Sequence, residues 1–203
     1  MILKTLISLA AVALSLATTL PTPDLFPIST VPGGNIAVAI APALGGETRF
    51  FYQREDGGIQ MLGLNGSFAT GSVYLNEPLV PPEEVQFRTP LITMVVDDMF
   101  TEIRLFFLSP QNVVSEYLYQ PNHGGWRGGA TCLDIEPADC LTNLNFVAAP
   151  GSSVLYAAYN PSQARPGAPP TAWIRVGFVS AGNPLGLTEA VFDINGWRLE
   201  TMN

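Results

Sequence analysis

Three arginines recur inside apolar segments, and each segment is followed by a turn and a second apolar segment. They are Arg49, Arg104 and Arg175, in the phrases ETRFFYQ, TEIRLFF and AWIRVGF. In the second and third repeats a glutamate follows the turn, at Glu116 and Glu189. A guanidinium group donates several hydrogen bonds and a carboxylate accepts several, so the pair suits a ligand with neighbouring hydroxyl groups. The pattern predicts a small polar-ligand site built once per repeat.

Each repeat also supplies an aromatic residue close to glycine. Trp126 lies in GGWRGG, Trp197 in NGWRLE and Phe68 in GSFATG. In the first repeat Met61 stands where the other two repeats have glutamate, so Arg49 has lost its acidic partner. We therefore expect the site of Arg49, Met61 and Phe68 to be degenerate and to bind weakly or not at all.

The spacing between the arginine and the acidic position tests the alignment of the repeats. The separations are 12, 12 and 14 residues, with methionine at the acidic position of the first repeat. Because all three are even, both side chains stay on one face of a hairpin. Turns of three, three and five residues would place the two positions directly opposite each other.

The repeats divide the chain into three units, at about residues 35–76, 84–129 and 147–203, within one domain spanning 35–203. Each unit contains four short stretches with strand character, and glycine and proline fall between them. The segment Pro161–Pro170 is rich in proline and is expected to be an exposed loop. Tandem four-stranded antiparallel units are typical of β-propeller blades, so we predict an all-β fold of about three blades.

The sequence resembles the fungal fucose-specific lectins, which are six-bladed β-propellers. The resemblance covers about residues 35–203, in phrases such as EIRLFFLSPQNVVSEYLYQPNHGGW and WIRVGFVSAGNPLGLTEAVFDINGW. It implies that the arginine and glutamate hydrogen-bond the sugar, that aromatic rings cover its apolar edge, and that the pocket lies between neighbouring blades. The residues implied by position are Arg104, Glu116, Trp126, Arg175, Glu189 and Trp197. Fucosylated glycans are the implied partners, and no cofactor is implied.

Three blades are fewer than the roughly 4 to 8 that close a propeller. Two copies arranged head to tail would form a six-bladed ring, so we expect a homodimer. An incomplete gene product, or a domain that covers its own open faces, is the alternative.

The first residues indicate secretion. Met1–Ala17 has one lysine, a short apolar run and small residues where a signal peptidase cleaves, and residues 18–34 form a lead-in rich in proline and threonine. A membrane anchor is the alternative for Met1–Ala17. In an oxidising compartment Cys132 and Cys140 are expected to form a disulfide, with a reduced buried pair as the alternative. Asn65 begins an Asn-Gly-Ser acceptor for glycosylation.

Composition and site chemistry argue against several other functions. The formal net charge is −8 and Lys4 is the only lysine, which disfavours nucleic acid as a partner. The single histidine, His123, has no neighbouring residues spaced for a metal site or a nucleophile. An arginine partner should lower the pKa of each glutamate, which disfavours a general acid. We therefore predict a secreted lectin that is not an enzyme. A protein-binding propeller without sugar binding and a glycoside hydrolase are the alternatives.

Overall fold

The computed structural model describes residues 30–32, 34–67, 69–130, 132, 139–160 and 173–201. The expected signal segment, most of the lead-in, Phe68 and the proline-rich segment 161–170 lie outside the described residues. Among the residues that are described, no helix is both long enough and apolar enough to cross a membrane.

The chain forms three four-stranded antiparallel sheets, which confirms the predicted all-β fold of about three blades. In each sheet every strand pairs with the next one along the chain. The first sheet contains β1 (Ile36–Ala41), β2 (Glu47–Gln53), β3 (Ile59–Leu64) and β4 (Val73–Val80); the second contains β5 (Ile92–Val95), β6 (Ile103–Leu108), β7 (Val114–Gln120) and β8 (Gly125–Gly128); the third contains β9 (Leu155–Tyr159), β10 (Ile174–Val179), β11 (Leu187–Asp193) and β12 (Gly196–Thr201).

The sheets follow one another with their first strands side by side. β5 lies next to β1 on one side and next to β9 on the other. The three sheets therefore pack face to face around a common inner edge, as blades do. We call the contact between the first and second sheets the first junction, and that between the second and third sheets the second junction.

Strand β6 shows how one strand serves both junctions. Ile103, Leu105 and Phe107 belong to the apolar cluster shared with the first sheet, whereas Phe106 and Leu108 belong to the cluster shared with the third sheet. Because successive side chains of a strand point to opposite faces, the sequence IRLFFL supplies apolar groups to two neighbours at once. The middle sheet is consequently buried on both faces.

The connection between the second and third sheets contains a disulfide. Cys132 and Cys140 are joined, with their Cα atoms 6.3 Å apart, in agreement with the prediction from sequence. Immediately after Cys140, residues Leu141–Leu144 form a short 3₁₀ turn that packs on β7. The disulfide therefore anchors a segment that lies against the second sheet.

The first sheet has a face that no other described sheet covers. Ile36, Val38 and Ile40 alternate with buried alanines along β1 and are 52%, 43% and 52% exposed. Tyr52 and Phe50 lie opposite Ile36 and Val38 in the β1–β2 register, so they stand on the same face. This apolar surface is called the open face of the first sheet.

Junction packing predicts a large effect of truncating Phe107. Its ring is fully buried in the first junction, so Phe107→Ala should lower the free energy of unfolding by about 3–5 kcal/mol. Phe87→Ala is the matched control, because Phe87 is 58% exposed and should change stability by about 0.5 kcal/mol or less. Urea unfolding followed by tryptophan fluorescence measures both. Equal losses for the two variants would contradict the junction packing.

Candidate functional site

The arginine and glutamate of the second sheet lie on one face but not directly opposite each other. Arg104 is opposite Leu118, and Glu116 is opposite Phe106, so the pair is offset along the hairpin by two residues. The third sheet repeats this offset. The expectation of direct opposition is therefore wrong, because the turns at residues 109–113 and 180–186 are each two residues longer than expected. An even change of register keeps both side chains on the same face.

Arg104 and Glu116 form a buried ion pair in the second junction. Nη1 of Arg104 donates to Oε1 of Glu116 at 2.7 Å, and its Nε donates to Oε1 of Glu102 at 2.6 Å. Arg104 is 5% exposed and Glu116 is 0% exposed. The guanidinium carbon lies 5.4 Å from the ring centre of Phe192, which β11 of the third sheet contributes. The pair is thus satisfied by hydrogen bonds and covered by an aromatic ring of the following sheet.

Each tryptophan packs against the preceding sheet. Trp197 of the third sheet meets Phe106 of the second edge-on, with ring centres 6.4 Å apart. Trp126 of the second sheet meets Phe51 of the first in the same way, at 5.6 Å. Each junction therefore combines an arginine, an acidic position and a phenylalanine from one sheet with aromatic rings from the next. Arg104 is therefore faced by a ring of the following repeat, Phe192, whereas Arg49 lies beside Tyr74 of its own repeat as well as Phe100 of the following one.

The first junction has the aromatic rings but not the carboxylate. Met61 is buried at the position that glutamate occupies in the other two sheets. Nη2 of Arg49 donates to Oε1 of Glu47 at 3.0 Å, and the guanidinium carbon lies 5.3 Å from the Tyr74 ring centre and 5.6 Å from that of Phe100. Within the described part of the chain, the buried Nε of Arg49 has no hydrogen-bond acceptor. Arg49 therefore has one acidic partner, Glu47, and lacks a second at the position of Met61.

The first sheet also lacks an aromatic residue at the strand position of the tryptophans. In the second and third sheets the tryptophan lies opposite Tyr119 and Phe192, three residues after the glutamate. The equivalent residue of the first sheet is Leu64, and the residue opposite it is Val73. Phe68, the aromatic residue expected from the sequence, falls between β3 and β4 and lies outside the described residues. The open face of the first sheet therefore has aliphatic residues at these two positions.

The third sheet presents its arginine and glutamate on a face that no described sheet covers. Nη1 of Arg175 lies 3.6 Å from Oε2 of Glu189, and the Arg175 side chain is 51% exposed. The Tyr156 hydroxyl donates to Oε1 of Glu189 at 2.5 Å. Burial of the ring, together with the neighbouring Glu189, raises the pKa of Tyr156 to about 12, so the hydroxyl is protonated at neutral pH. Three polar side chains thus converge on this face, where Arg175 is half exposed and Glu189 is 7% exposed.

Glycine at position 177 allows Tyr156 to reach Glu189. Gly177 lies opposite both Tyr156 and Glu189 in their respective hairpins, and its place in the second sheet is taken by Phe106. A Cβ atom at Gly177 would stand 2.0 Å from the Tyr156 ring. The ring therefore lies across the glycine backbone, and any larger residue there would displace it.

A segment of the chain covers the polar groups of the second junction. The indole nitrogen of Trp197 donates to the carbonyl oxygen of Asp139 at 3.1 Å. The backbone nitrogen of Leu141 donates to Oε2 of Glu116 at 3.0 Å, and Thr142 Oγ1 accepts from the backbone nitrogen of Glu116 at 2.9 Å. The residues flanking Cys140 thus bind both the carboxylate and the indole of this junction.

Burial changes the acid–base properties of Glu116. Removal from water raises the pKa of its carboxyl, while the Arg104 guanidinium and the Leu141 N–H act in the opposite direction. The arginine partner lowers the pKa of Glu116 as expected, but loss of hydration is the larger effect, so this pKa is raised overall. The carboxyl is nevertheless fully engaged by its donors and is closed off from solvent.

Several residues of these sites were not predicted from the sequence. Tyr119 and Phe192 share one spacing from the acidic position, so the repeat alignment could have identified them. Tyr156 lies in a different strand from Arg175 and Glu189, and only the register of β9 brings it near. Leu141 belongs to a segment with no counterpart in the first connection, and no sequence signal marked it.

The remaining predicted positions are exposed. Asn65 is exposed where β3 ends, and its Oδ1 accepts from the backbone nitrogen of Ser72 at 2.7 Å. His123 is exposed in the turn before β8. Among the described residues no three histidine, cysteine, aspartate or glutamate side chains are grouped so that they could hold a metal ion.

The fold is similar to that of several solved structures, among them lectins. AofleA from Arthrobotrys oligospora matches with a TM-score of 0.60 and 23% identity, over 83% of this chain and 41% of AofleA. A mutant of Aleuria aurantia lectin in complex with α-methyl-L-fucoside matches with a TM-score of 0.61 and 19% identity, over 87% and 51%. The SapL1 lectin in complex with α-methyl fucoside matches with a TM-score of 0.57 and 18% identity, over 85% and 48%.

These comparisons identify the architecture. A structure of Aleuria aurantia lectin described as a six-bladed β-propeller with a novel fucose recognition mode matches over 87% of this chain and 50% of the lectin, with a TM-score of 0.59 and 18% identity. No protein-family model matches the sequence, and a comparison with curated proteins finds no match. The chain spans about half the length of these lectins, and its three sheets have the fold of about three blades of a six-bladed lectin propeller.

Proposed function

We propose that this chain is a carbohydrate-binding protein of the lectin type, which recognises fucosylated glycans and has its accessible site at Arg175 and Glu189. The observation that carries the proposal is the cluster of Arg175, Glu189 and Tyr156 on a blade face that no described sheet covers. The proposal is also supported by the similarity of the fold to that of lectins whose structures contain α-methyl fucoside.

The chemistry of the cluster fits a sugar with adjacent hydroxyl groups. The half-exposed guanidinium of Arg175 supplies donors, the Glu189 carboxylate supplies acceptors, and the Tyr156 hydroxyl can do both. Fucose also has a methyl group, which requires an apolar surface beside the polar groups. In the two junctions such a surface is made by rings of the following sheet, so we propose that the Arg175 site is completed by a further sheet.

The arginines of the first and second sheets lie in arrangements similar to that of Arg175, but each differs from it in one respect. Arg104, Glu116 and Trp197 are proposed as a second site of this type, whose state is considered in the next section. Arg49 lies in the first junction with Met61 at the position of Glu116 and Glu189, so we propose that this site binds weakly or not at all.

A binding function is proposed in preference to catalysis. Both carboxylates beside Arg104 accept hydrogen bonds from its guanidinium, and Glu116 is fully buried, so neither is placed to exchange a proton with a sugar. A protein-binding module is the second candidate, and the observation that favours it is the row of exposed aliphatic residues on the open face of the first sheet. Competition by free fucose distinguishes the two, because a protein partner bound to that face would not be displaced.

Secretion is proposed from the first 17 residues, with the glycan acceptor at Asn65 and the disulfide as compatible features. N-terminal sequencing of protein recovered from culture medium tests it, with cleavage expected after Ala17. An uncleaved N-terminus in membrane fractions would contradict it.

The Arg175 site predicts a selective effect of Glu189→Gln. Loss of the charge removes an ionised acceptor, and hydrogen bonds to charged groups contribute about 1.5–3 kcal/mol, so the affinity for fucose should fall about 10- to 100-fold. Glu200→Gln is the matched control, since Glu200 lies opposite Glu189 on β12 but is ion-paired with Arg198 and exposed. Isothermal titration calorimetry with α-methyl fucoside gives both affinities. Unchanged binding by the Glu189 variant would refute the assignment.

We further propose that a second copy of the chain supplies the missing sheet. Within one chain, each face that carries an arginine packs against the apolar face of the following sheet. The Arg175 face has no such neighbour among the described residues, and the open face of the first sheet is the apolar face that lacks one. Packing the two between copies repeats the existing junction and places residues 35–43 against the partner's third sheet.

This assembly predicts that sugar affinity depends on protein concentration. Dilution should dissociate the dimer and weaken fucose binding together, because the Arg175 pocket then loses one wall. Val38→Asp, on the open face, should give a monomer, whereas Leu185→Asp, in an exposed turn, should leave the dimer intact. Sedimentation velocity with parallel fucose titrations measures both quantities. A monomer with undiminished affinity would show that the pocket is complete within one chain.

A further inference from the structure

The two connections between sheets can be compared at one equivalent hydrogen bond. In the first connection the backbone nitrogen of Gln86 donates to the carbonyl oxygen of Leu108, the last residue of β6, at 2.8 Å. In the second connection the backbone nitrogen of Ala149 donates to the carbonyl oxygen of Val179, the last residue of β10, at 2.7 Å. The preceding outer strand is separated from this point by residues 81–85 in one case and 129–148 in the other. The second connection therefore contains an insertion, to which both cysteines belong.

The described end of this insertion occupies the junction with the full set of predicted sugar-binding groups. The Asp139 carbonyl oxygen accepts a hydrogen bond from the Trp197 indole N–H, and the Leu141 N–H donates one to Oε2 of Glu116. The Leu141 side chain is 0% exposed and belongs to the same apolar cluster as Phe106 and Trp197. One peptide segment thus supplies an acceptor, a donor and an aliphatic group, which are the kinds of group that a deoxy sugar would present here.

The covalent anchor adjoins these contacts directly. Cys140 stands between Asp139 and Leu141, is fully buried, and is bonded to Cys132. Tethering a segment beside its binding site raises its local concentration, so a free sugar competes at a disadvantage. The first junction has the short connection of residues 81–85, and there Met61 stands at the position of Glu116.

We propose that residues 139–144 are a built-in occupant of the Arg104–Glu116–Trp197 site, and that this site binds no sugar while the segment is in place. The inference rests on the proposed fucose binding, which it limits to the Arg175 site. The segment satisfies the hydrogen-bonding groups of the site and packs between the second and third sheets. We expect removal of this segment to open a pocket, with the polar residues of the site left unchanged.

The test isolates the second junction in a chain that carries Glu189→Gln. In this background, replacing residues 129–148 by the short connection PPEEV should create one fucose site per chain, and adding Glu116→Gln should abolish it. Leu141→Gly is a milder second variant that retains the full connection, and it should give weaker fucose binding with the same dependence on Glu116. Asn143→Gly, in the exposed part of the same turn, is the control and should create no site.

Calorimetry with α-methyl fucoside gives the number of sites, and unfolding curves verify that each variant is folded. Fucose binding by the Glu189→Gln chain with its natural connection, lost on adding Glu116→Gln, would overturn the inference because the site would already be open. Absence of new binding in folded forms of both opened variants would also overturn it, if the unmodified chain binds fucose at Arg175. If the unmodified chain binds none and the shortened one does, the inference stands and the Arg175 assignment fails. If neither binds fucose, the proposed function is wrong and the inference falls with it.

Discussion

Alternation of side chains along a strand is the constraint on which this molecule depends. Each sheet has two faces, and in the middle sheet both are apolar, so a neighbour must cover each of them. The arginine strand contributes to both junctions: one set of positions supplies aliphatic and aromatic packing, and the alternate set supplies the arginine and a second aromatic group. Polar groups come to lie between sheets because they share a face with residues that must be buried.

The same short motif therefore has different properties in different sheets. Arg104 and Glu116 lie under the third sheet, where loss of water makes an unsatisfied charge costly, and both have several hydrogen-bond partners. Arg175 and Glu189 have the same offset in their hairpin but are covered by no described sheet, so their Nη1–Oε2 separation is longer and the arginine is half exposed. Position in the row of blades, more than residue type, decides how exposed each pair is.

The connections between blades also affect the surroundings of the buried polar groups. The blades repeat one pattern of strands, but the segments that join them differ in length and composition. A short connection only carries the chain from the outer strand back to the inner edge. The long one is anchored by a disulfide, packs on β7 and supplies hydrogen-bonding partners to buried polar groups. Packing between blades and hydrogen bonding of the buried polar groups thus depend on the same few residues.

The sequence by itself determined the number of sheets, the strands within them and the shared face of arginine and glutamate, because these follow from local period and even spacing. It also indicated the loss of the carboxylate at Met61 and the pairing of the cysteines. Only the tertiary structure decided that Phe192 faces Arg104 and that Trp197 meets Phe106. It also decided that Tyr156 reaches Glu189 across Gly177 and that Leu141 packs in the second junction. Those contacts join different strands, sheets and connections, and their geometry depends on turn length and on how one sheet packs on the next. Neither is encoded in the spacing within a repeat.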